Sequence, residues 1–116
     1  MKIDVDGTED AVLRGARETI ERDRPRIYFA VTDIAALQAC CRALARSDYA
    51  LYWLETWAYN RNNFNRSDFN VWARCELGVL AYPREASAGV PYPPVTDEHR
   101  ELPHRLDPLA GYGGTR

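Results

Sequence analysis

A chain of 116 residues has room for one domain. A formal net charge of −2 excludes the basic field of a nucleic-acid-binding domain, and no apolar run reaches the ~20 residues that a membrane-spanning helix needs. The three cysteines, Cys40, Cys41 and Cys75, form no C-x-x-C spacing, and the acidic N-terminus lacks the apolar segment of a secretory leader; the expectation is a reduced, cytoplasmic protein with no bound metal.

Lys2 to Val5 reads as a short strand that runs into two carboxylates, Asp4 and Asp6. Gly7 then allows a tight turn. Thr8 is a good N-cap, with Glu9 and Asp10 in the first turn, where the helix dipole favours anions. Val12, Leu13, Ala16 and Ile20 form one apolar stripe and predict a helix to about Arg22, which Pro25 prevents from continuing. The unbroken apolar run Ile27-Tyr28-Phe29-Ala30-Val31 predicts a strand from Arg26 to Val31, buried on both faces. Thr32 or Asp33 caps the next helix, with Ile34, Leu37, Cys41 and Leu44 as its stripe. Tyr49 to Leu54 reads as a third strand, rich in aromatics.

Glu55 to Asn70 is a polar loop dense in asparagine and aromatics. Val71 to Tyr82 alternates with period two. Val71, Ala73, Cys75, Leu77, Val79 and Ala81 face one way, and Trp72, Arg74, Glu76, Leu80 and Tyr82 face the other, with Gly78 as a candidate bulge. Residues 86 to 116 hold five of the seven prolines and four of the seven glycines and read as a flexible tail, leaving residues 1 to 85 for the core. The order β-α-β-α-β-loop-β makes this an α/β chain. Its first three strands run parallel through right-handed crossovers, and its last is antiparallel to the third.

Asp4-Val5-Asp6-Gly7-Thr8 matches the first motif of the haloacid dehalogenase superfamily of Mg²⁺-dependent phosphatases. There Asp4 would be the phosphoryl-accepting nucleophile and Asp6 the general acid/base. The likeness stops at this motif. Lys2, the only lysine, precedes it and cannot supply the mid-chain cation, and Tyr82-Pro83-Arg84-Glu85 offers no acidic pair after the last strand.

A second resemblance covers more of the chain. Lys2-Ile3-Asp4-Val5-Asp6-Gly7-Thr8-Glu9, followed by Val12-Leu13-Arg14-Gly15-Ala16, resembles the "KIDVEG-x-E-x-x-VL-x-GA" segment of FkbM-type methyltransferases. Arg24-Pro25-Arg26-Ile27-Tyr28-Phe29, Tyr49-Ala50-Leu51-Tyr52-Trp53, Tyr59-Asn60-Arg61-Asn62-Asn63-Phe64 and Leu77-Gly78-Val79-Leu80-Ala81-Tyr82-Pro83-Arg84-Glu85 resemble later segments of that family. They occur in the same order, across residues 1 to 85. Asp6 stands where the family has Glu, and Asp48 where it has Gly.

The resemblance implies the C-terminal half of a class I, Rossmann-like, S-adenosylmethionine methyltransferase fold. Three parallel strands and an antiparallel final strand make up residues 1–85, and residues 86–116 form a tail. In that fold the first three of seven strands hold the cofactor with a Gly-rich loop and an acid, and this chain has no Gly-x-Gly-x-x-Gly, so no cofactor-binding residue is assigned. The implied chemistry is methyl transfer to a hydroxyl of a sugar, polyketide or similar small molecule. Asp4 and Asp6 would be the catalytic acids, and Glu9, Trp57, Tyr59, Asn60 and Asn63 would bind substrate. Rings stack on apolar faces and amides read hydroxyls. The other reading of the same residues is that the acids cap a helix and the asparagines satisfy their own loop. The implied partners are an N-terminal half on another chain, or a second copy paired through the exposed first strand. Three functions follow: half of an O-methyltransferase, a non-catalytic remnant or binding module of the same fold, and a small phosphatase.

Overall fold

In a computed structural model, which describes residues 1–57, 60, 62–67 and 75–96, the chain begins with a two-residue strand, β1 (Lys2–Ile3). Helices α1 (Glu9–Gly15) and α2 (Arg17–Asp23), strand β2 (Ile27–Ala30) and helix α3 (Ile34–Leu44) follow. Two nine-residue strands, β3 (Tyr49–Trp57) and β4 (Cys75–Pro83), and a 3-10 turn at Arg84–Ala86 complete the elements.

The four strands form one mixed sheet in the order β1-β2-β4-β3. β1 pairs with β2 in parallel, and β4 is antiparallel to both β2 and β3. β1, β2 and β3 therefore run the same way, as expected, but β3 does not pair with β2. The β3–β4 ladder is complete from Tyr49↔Pro83 to Trp57↔Cys75, and it leaves the other edge of β4 to take β2. β4 begins at Cys75; residues 71–74 of the expected strand lie outside the described residues. β3 runs three residues beyond the expected Leu54, because Glu55, Thr56 and Trp57 each have a partner in the ladder.

Both crossovers place their helices on one face of the sheet, where α1 packs along α3. Phe29, Val79 and Ala81 of the sheet are completely buried against this layer, beside Leu13, Ile20, Leu37 and Leu44 of the helices. Truncating Phe29 to alanine would remove ~3–5 kcal/mol, a large share of the ~5–15 kcal/mol that holds a domain of this size. On α3 the buried cysteine is Cys40, one position off the expected stripe, while Cys41, which that stripe named, is half-buried at the margin of the core. Asp33 is the cap of α3, accepting from the Ala36 N–H at 2.8 Å.

The expected single helix after β1 is divided. Ala16 leaves the helical region (φ −86°, ψ 5°) directly after Gly15, a residue that weakens a helix interior. The hydrogen bonds Ala16 N–H to Val12 O and Ile20 N–H to Ala16 O carry the chain across the break. Val12 is exposed, so the buried stripe is Leu13 and Ile20 with Ala16 between them. α2 ends at Arg24, which adopts a left-handed conformation (φ 48°) ahead of Pro25.

The second face of the sheet carries no helix among the described residues. This corrects the reading of Ile27–Val31 as buried on both faces. Ile27 and Phe29 are buried, while Tyr28 and Ala30 are half-buried on the opposite side. Beside the half-buried Leu54 and Leu80, the face carries Tyr28, Tyr52 and Tyr82, apolar in the ring and polar at the tip, which suit partial exposure. Tyr52 and Tyr82 meet edge to face at 6.1 Å, the Tyr52 hydroxyl donates to Ser87 O at 3.3 Å, and the Arg26 guanidinium lies 5.2 Å from the Tyr82 ring.

Part of the proline-rich segment packs on the sheet. Trp53 N–H donates to Pro93 O at 2.8 Å, and Val95 N–H donates to Leu51 O at 2.9 Å, forming an antiparallel bridge between Tyr52 and Pro94. The outer edge of β3 is thus covered by Pro93, Pro94 and Val95, of which the two prolines lack the N–H that an edge would otherwise expose. Residues 97–116 lie outside the described residues.

Candidate functional site

Because β1, β2 and β3 are co-directional, residues 4–8, residues 31–33 and the end of β3 at Trp57 all lie at the same edge of the sheet. That carboxyl edge is where open α/β sheets receive ligands.

The loop after β1 is organised by Glu9. Its side chain is only 2% exposed and its carboxylate accepts three backbone hydrogen bonds. These come from Val5 N–H at 3.1 Å and from Gly7 N–H at 3.3 and 3.1 Å to the two oxygens. The bonds satisfy a buried charge that would otherwise be costly. Its place in the first turn of α1 adds the favourable helix dipole. The two N–H groups flank Asp6, which adopts φ 51° and precedes Gly7 at φ 98°. Two successive left-handed residues are unusual; Gly7 has no Cβ to object, and aspartate is among the side chains that tolerate this region. Thr8 does not cap α1 with its side chain. Its Oγ1 donates back to Val5 O at 3.1 Å, so Glu9 takes the part expected of Thr8 in tying down the loop.

Asp4 and Asp6 are both exposed. Asp4 lies two residues beyond Lys2 on the same side of the strand, with Lys2 Nζ 3.4 Å from its Oδ2. Lys2 pairs in register with Tyr28, a residue that the sequence reading left in the core, and lies 6.0 Å from its ring on the second face. Its phenol pKa is raised, first by burial, with a hydrogen bond to Thr56 acting the other way and the charges of Glu76, Asp4 and Lys2 close enough to be felt. Its hydroxyl lies over Gly78 of β4 and hydrogen-bonds Thr56 of β3, directed across the sheet from β1. The available signal was its even position in the Ile27–Ala30 alternation, which places it opposite Phe29.

The loop residues stand elsewhere. Trp57 closes β3, and Tyr59 lies outside the described residues. Asn60 Oδ1 accepts from Asn62 N–H at 2.9 Å. Asn63 donates through Nδ2 to Asn60 O and Ser67 O at 3.0 and 2.8 Å and accepts from Ser67 N–H at 3.0 Å. Both side chains thus brace their own loop. Phe64, adjacent to this brace, is 100% exposed. β1 and β3 are three strand spacings apart, about 14 Å, so the acids and the asparagine loop rise from opposite corners of the carboxyl edge. Two clefts lie between α1 and α3 and beside the outer edge of β3; neither is lined by Asp4 or Asp6. Among the described residues, no helix is long and apolar enough to cross a membrane. No known protein family, curated protein or solved structure matches the chain.

Proposed function

We propose that the chain is the acceptor-side half of an S-adenosylmethionine-dependent O-methyltransferase of the FkbM type. The observation that carries this reading is the loop after β1, where Glu9 holds Asp6 in a fixed conformation and leaves both Asp4 and Asp6 open to solvent at the carboxyl edge. Three co-directional strands and a final antiparallel one agree with the half-fold that the resemblance implies. β1 stands at the end of the sheet, the place where the remaining strands of such a fold would join.

The residues present do not fit the cofactor. The sequence has no Gly-x-Gly-x-x-Gly, the buried acid of the loop is already engaged by backbone N–H groups, and Asp4 is paired with Lys2. S-adenosylmethionine is therefore assigned to elements outside this sequence. What the chain supplies is the other side of the reaction. Asp6 accepts a hydrogen bond from the acceptor hydroxyl, fixes its direction and takes its proton as the oxygen becomes nucleophilic. Asp4 positions the same group from the second face. The test mixes the chain with the cofactor half of a full-length FkbM-type enzyme and follows transfer of a labelled methyl group. Transfer in the mixture, lost in Asp6→Asn, supports the reading. A folded chain that gives none, yet hydrolyses an aryl phosphate in a manner abolished by Asp4→Asn, replaces it with the phosphatase.

The second reading is a binding module of the same fold. The end position of β1 and the half-buried tyrosine face favour it, since both are surfaces that a second polypeptide can cover. Concentration-dependent association of the chain, unchanged by Asp6→Asn and without transfer in the mixture, is its signature.

A further inference from the structure

A groove of about 570 Å³ runs between α1–α2 and the end of α3, on the helix layer and away from the acids of β1. Arg14 and Arg17 line it from one side, Arg42 and Arg46 from the other, and Ala39 and Ala43 contribute small side chains that leave room between them. Arg14 lies in the last turn of α1 and Arg17 opens α2 across the break at Ala16, while Arg42 lies in the last turn of α3 and Arg46 two residues beyond its end. Asp10 pairs with Arg14, and Glu21 pairs with Arg17 at 2.8 Å; both contacts are exposed. Arg42 and Arg46 make no ion pair among the described residues. Four guanidinium groups thus face two carboxylates in a chain whose formal net charge is −2.

We propose that this groove binds a small molecule carrying two adjacent phosphate groups. Guanidinium forks match phosphate oxygens two at a time. Arg42 and Arg46, four residues apart across the end of α3 and without an ion pair among the described residues, can each offer donors to one phosphate. The volume lies in the range of ordinary small-molecule sites, and the alanines offer an apolar surface for whatever the phosphates are attached to. The site is independent of the methyl-transfer reading: it uses neither Asp4 nor Asp6 and opens on the opposite side of the helix layer from the tyrosine face.

The test is calorimetric titration of the full chain with inorganic pyrophosphate and, separately, with adenosine diphosphate at low salt. Saturable binding of either, weakened roughly tenfold or more in Arg42→Gln/Arg46→Gln, is the expected result. Tighter binding of the nucleotide shows that the alanines receive the organic portion; equal binding shows that the phosphates alone are read. Both arms support the site. Arg22→Gln, outside the groove, serves as the control and leaves binding unchanged. No saturable heat with either ligand overturns the proposal, and so does an equal loss in the Arg22→Gln control. An unchanged melting temperature of the unliganded double variant shows that the loss is not one of folding.

Discussion

The phenol ring of Tyr28 occupies the space that a side chain at position 78 would fill: a Cβ on Gly78 would fall 2.3 Å from Tyr28 Cε2 and 2.6 Å from its hydroxyl oxygen. Gly78 is thus required by a cross-strand neighbour, not by a bulge. The ladder runs regularly through it, with Ala30 on one side and Leu54 on the other. Gly78→Ala must push the ring aside, at a cost of about 1–3 kcal/mol. Because the ring is at the end of a side chain on a half-buried face, most of that cost disappears in a Tyr28→Ala background. Urea unfolding of the two single variants and the double variant checks this as a thermodynamic cycle.

Glu9 supports a second prediction. Glu9→Ala leaves the Val5 and Gly7 N–H groups without their acceptor and destabilises the chain by about 1–3 kcal/mol. Glu9→Gln keeps one acceptor oxygen and falls between the two. Asp6→Gly, at φ 51°, is expected to remain within about 1 kcal/mol of the parent, because glycine accepts this conformation freely. Denaturant midpoints distinguish the two positions. A stabilising Glu9→Ala would contradict the bracket drawn around Asp6.

Element identity was legible where one physical signal dominated. The apolar run at Ile27–Ala30 gave the strand but not its half-buried second face, while the alternation of Leu77, Val79 and Ala81 gave both the strand and its buried face. The insertion of β4 between β2 and β3 was not legible, since strand order depends on long-range pairing that leaves no periodicity in the chain. At the site, the acids and Gly7 could be read as a turn from residue type alone. That Glu9 turns inward could not, because a carboxylate in a first helical turn looks the same whether it faces solvent or the loop. Asn60 and Asn63 illustrate the same ambiguity: amides that suit a hydroxyl ligand also suit a backbone, and here they bind the backbone.

Cys40 is expected to be chemically silent in the folded chain. Burial, reinforced by the negative charges of Glu9 and Asp10, pushes its thiol up to about 12, so almost no thiolate exists at neutral pH, and the thiolate is the reactive form. Peptide mapping after treatment with an aromatic disulfide reagent at pH 8 should find Cys40 modified only as fast as the protein unfolds. Modification of Cys40 within the reagent's ordinary reaction time with an exposed thiol would show that the core opens at α3.

At the opposite end of the sheet from the acids, Arg24 ties three segments together. Its guanidinium donates to Glu85 at 2.8 and 3.0 Å, to Ser47 O and to Asp48 O, and lies 5.0 Å from the Tyr49 ring. The hydrogen bond from Arg24 holds the Glu85 carboxyl down at about 2, against an ordinary 4.5. A carboxyl group whose pKa is lower folded than unfolded stabilises the fold above its unfolded value. That contribution declines as pH falls from about 4.5 and is gone below about 2. Glu85→Gln is therefore expected to lower the melting temperature at pH 7 slightly and to flatten the loss of stability between pH 5 and pH 2. Asp10 and Asp23, lowered by Arg14 and Arg22 respectively, keep part of the acid slope in the variant. Melting temperatures of the parent and Glu85→Gln, measured across this window, should converge toward its acid end. A constant gap at every pH would mean that the ion pair with Arg24 does not form in solution.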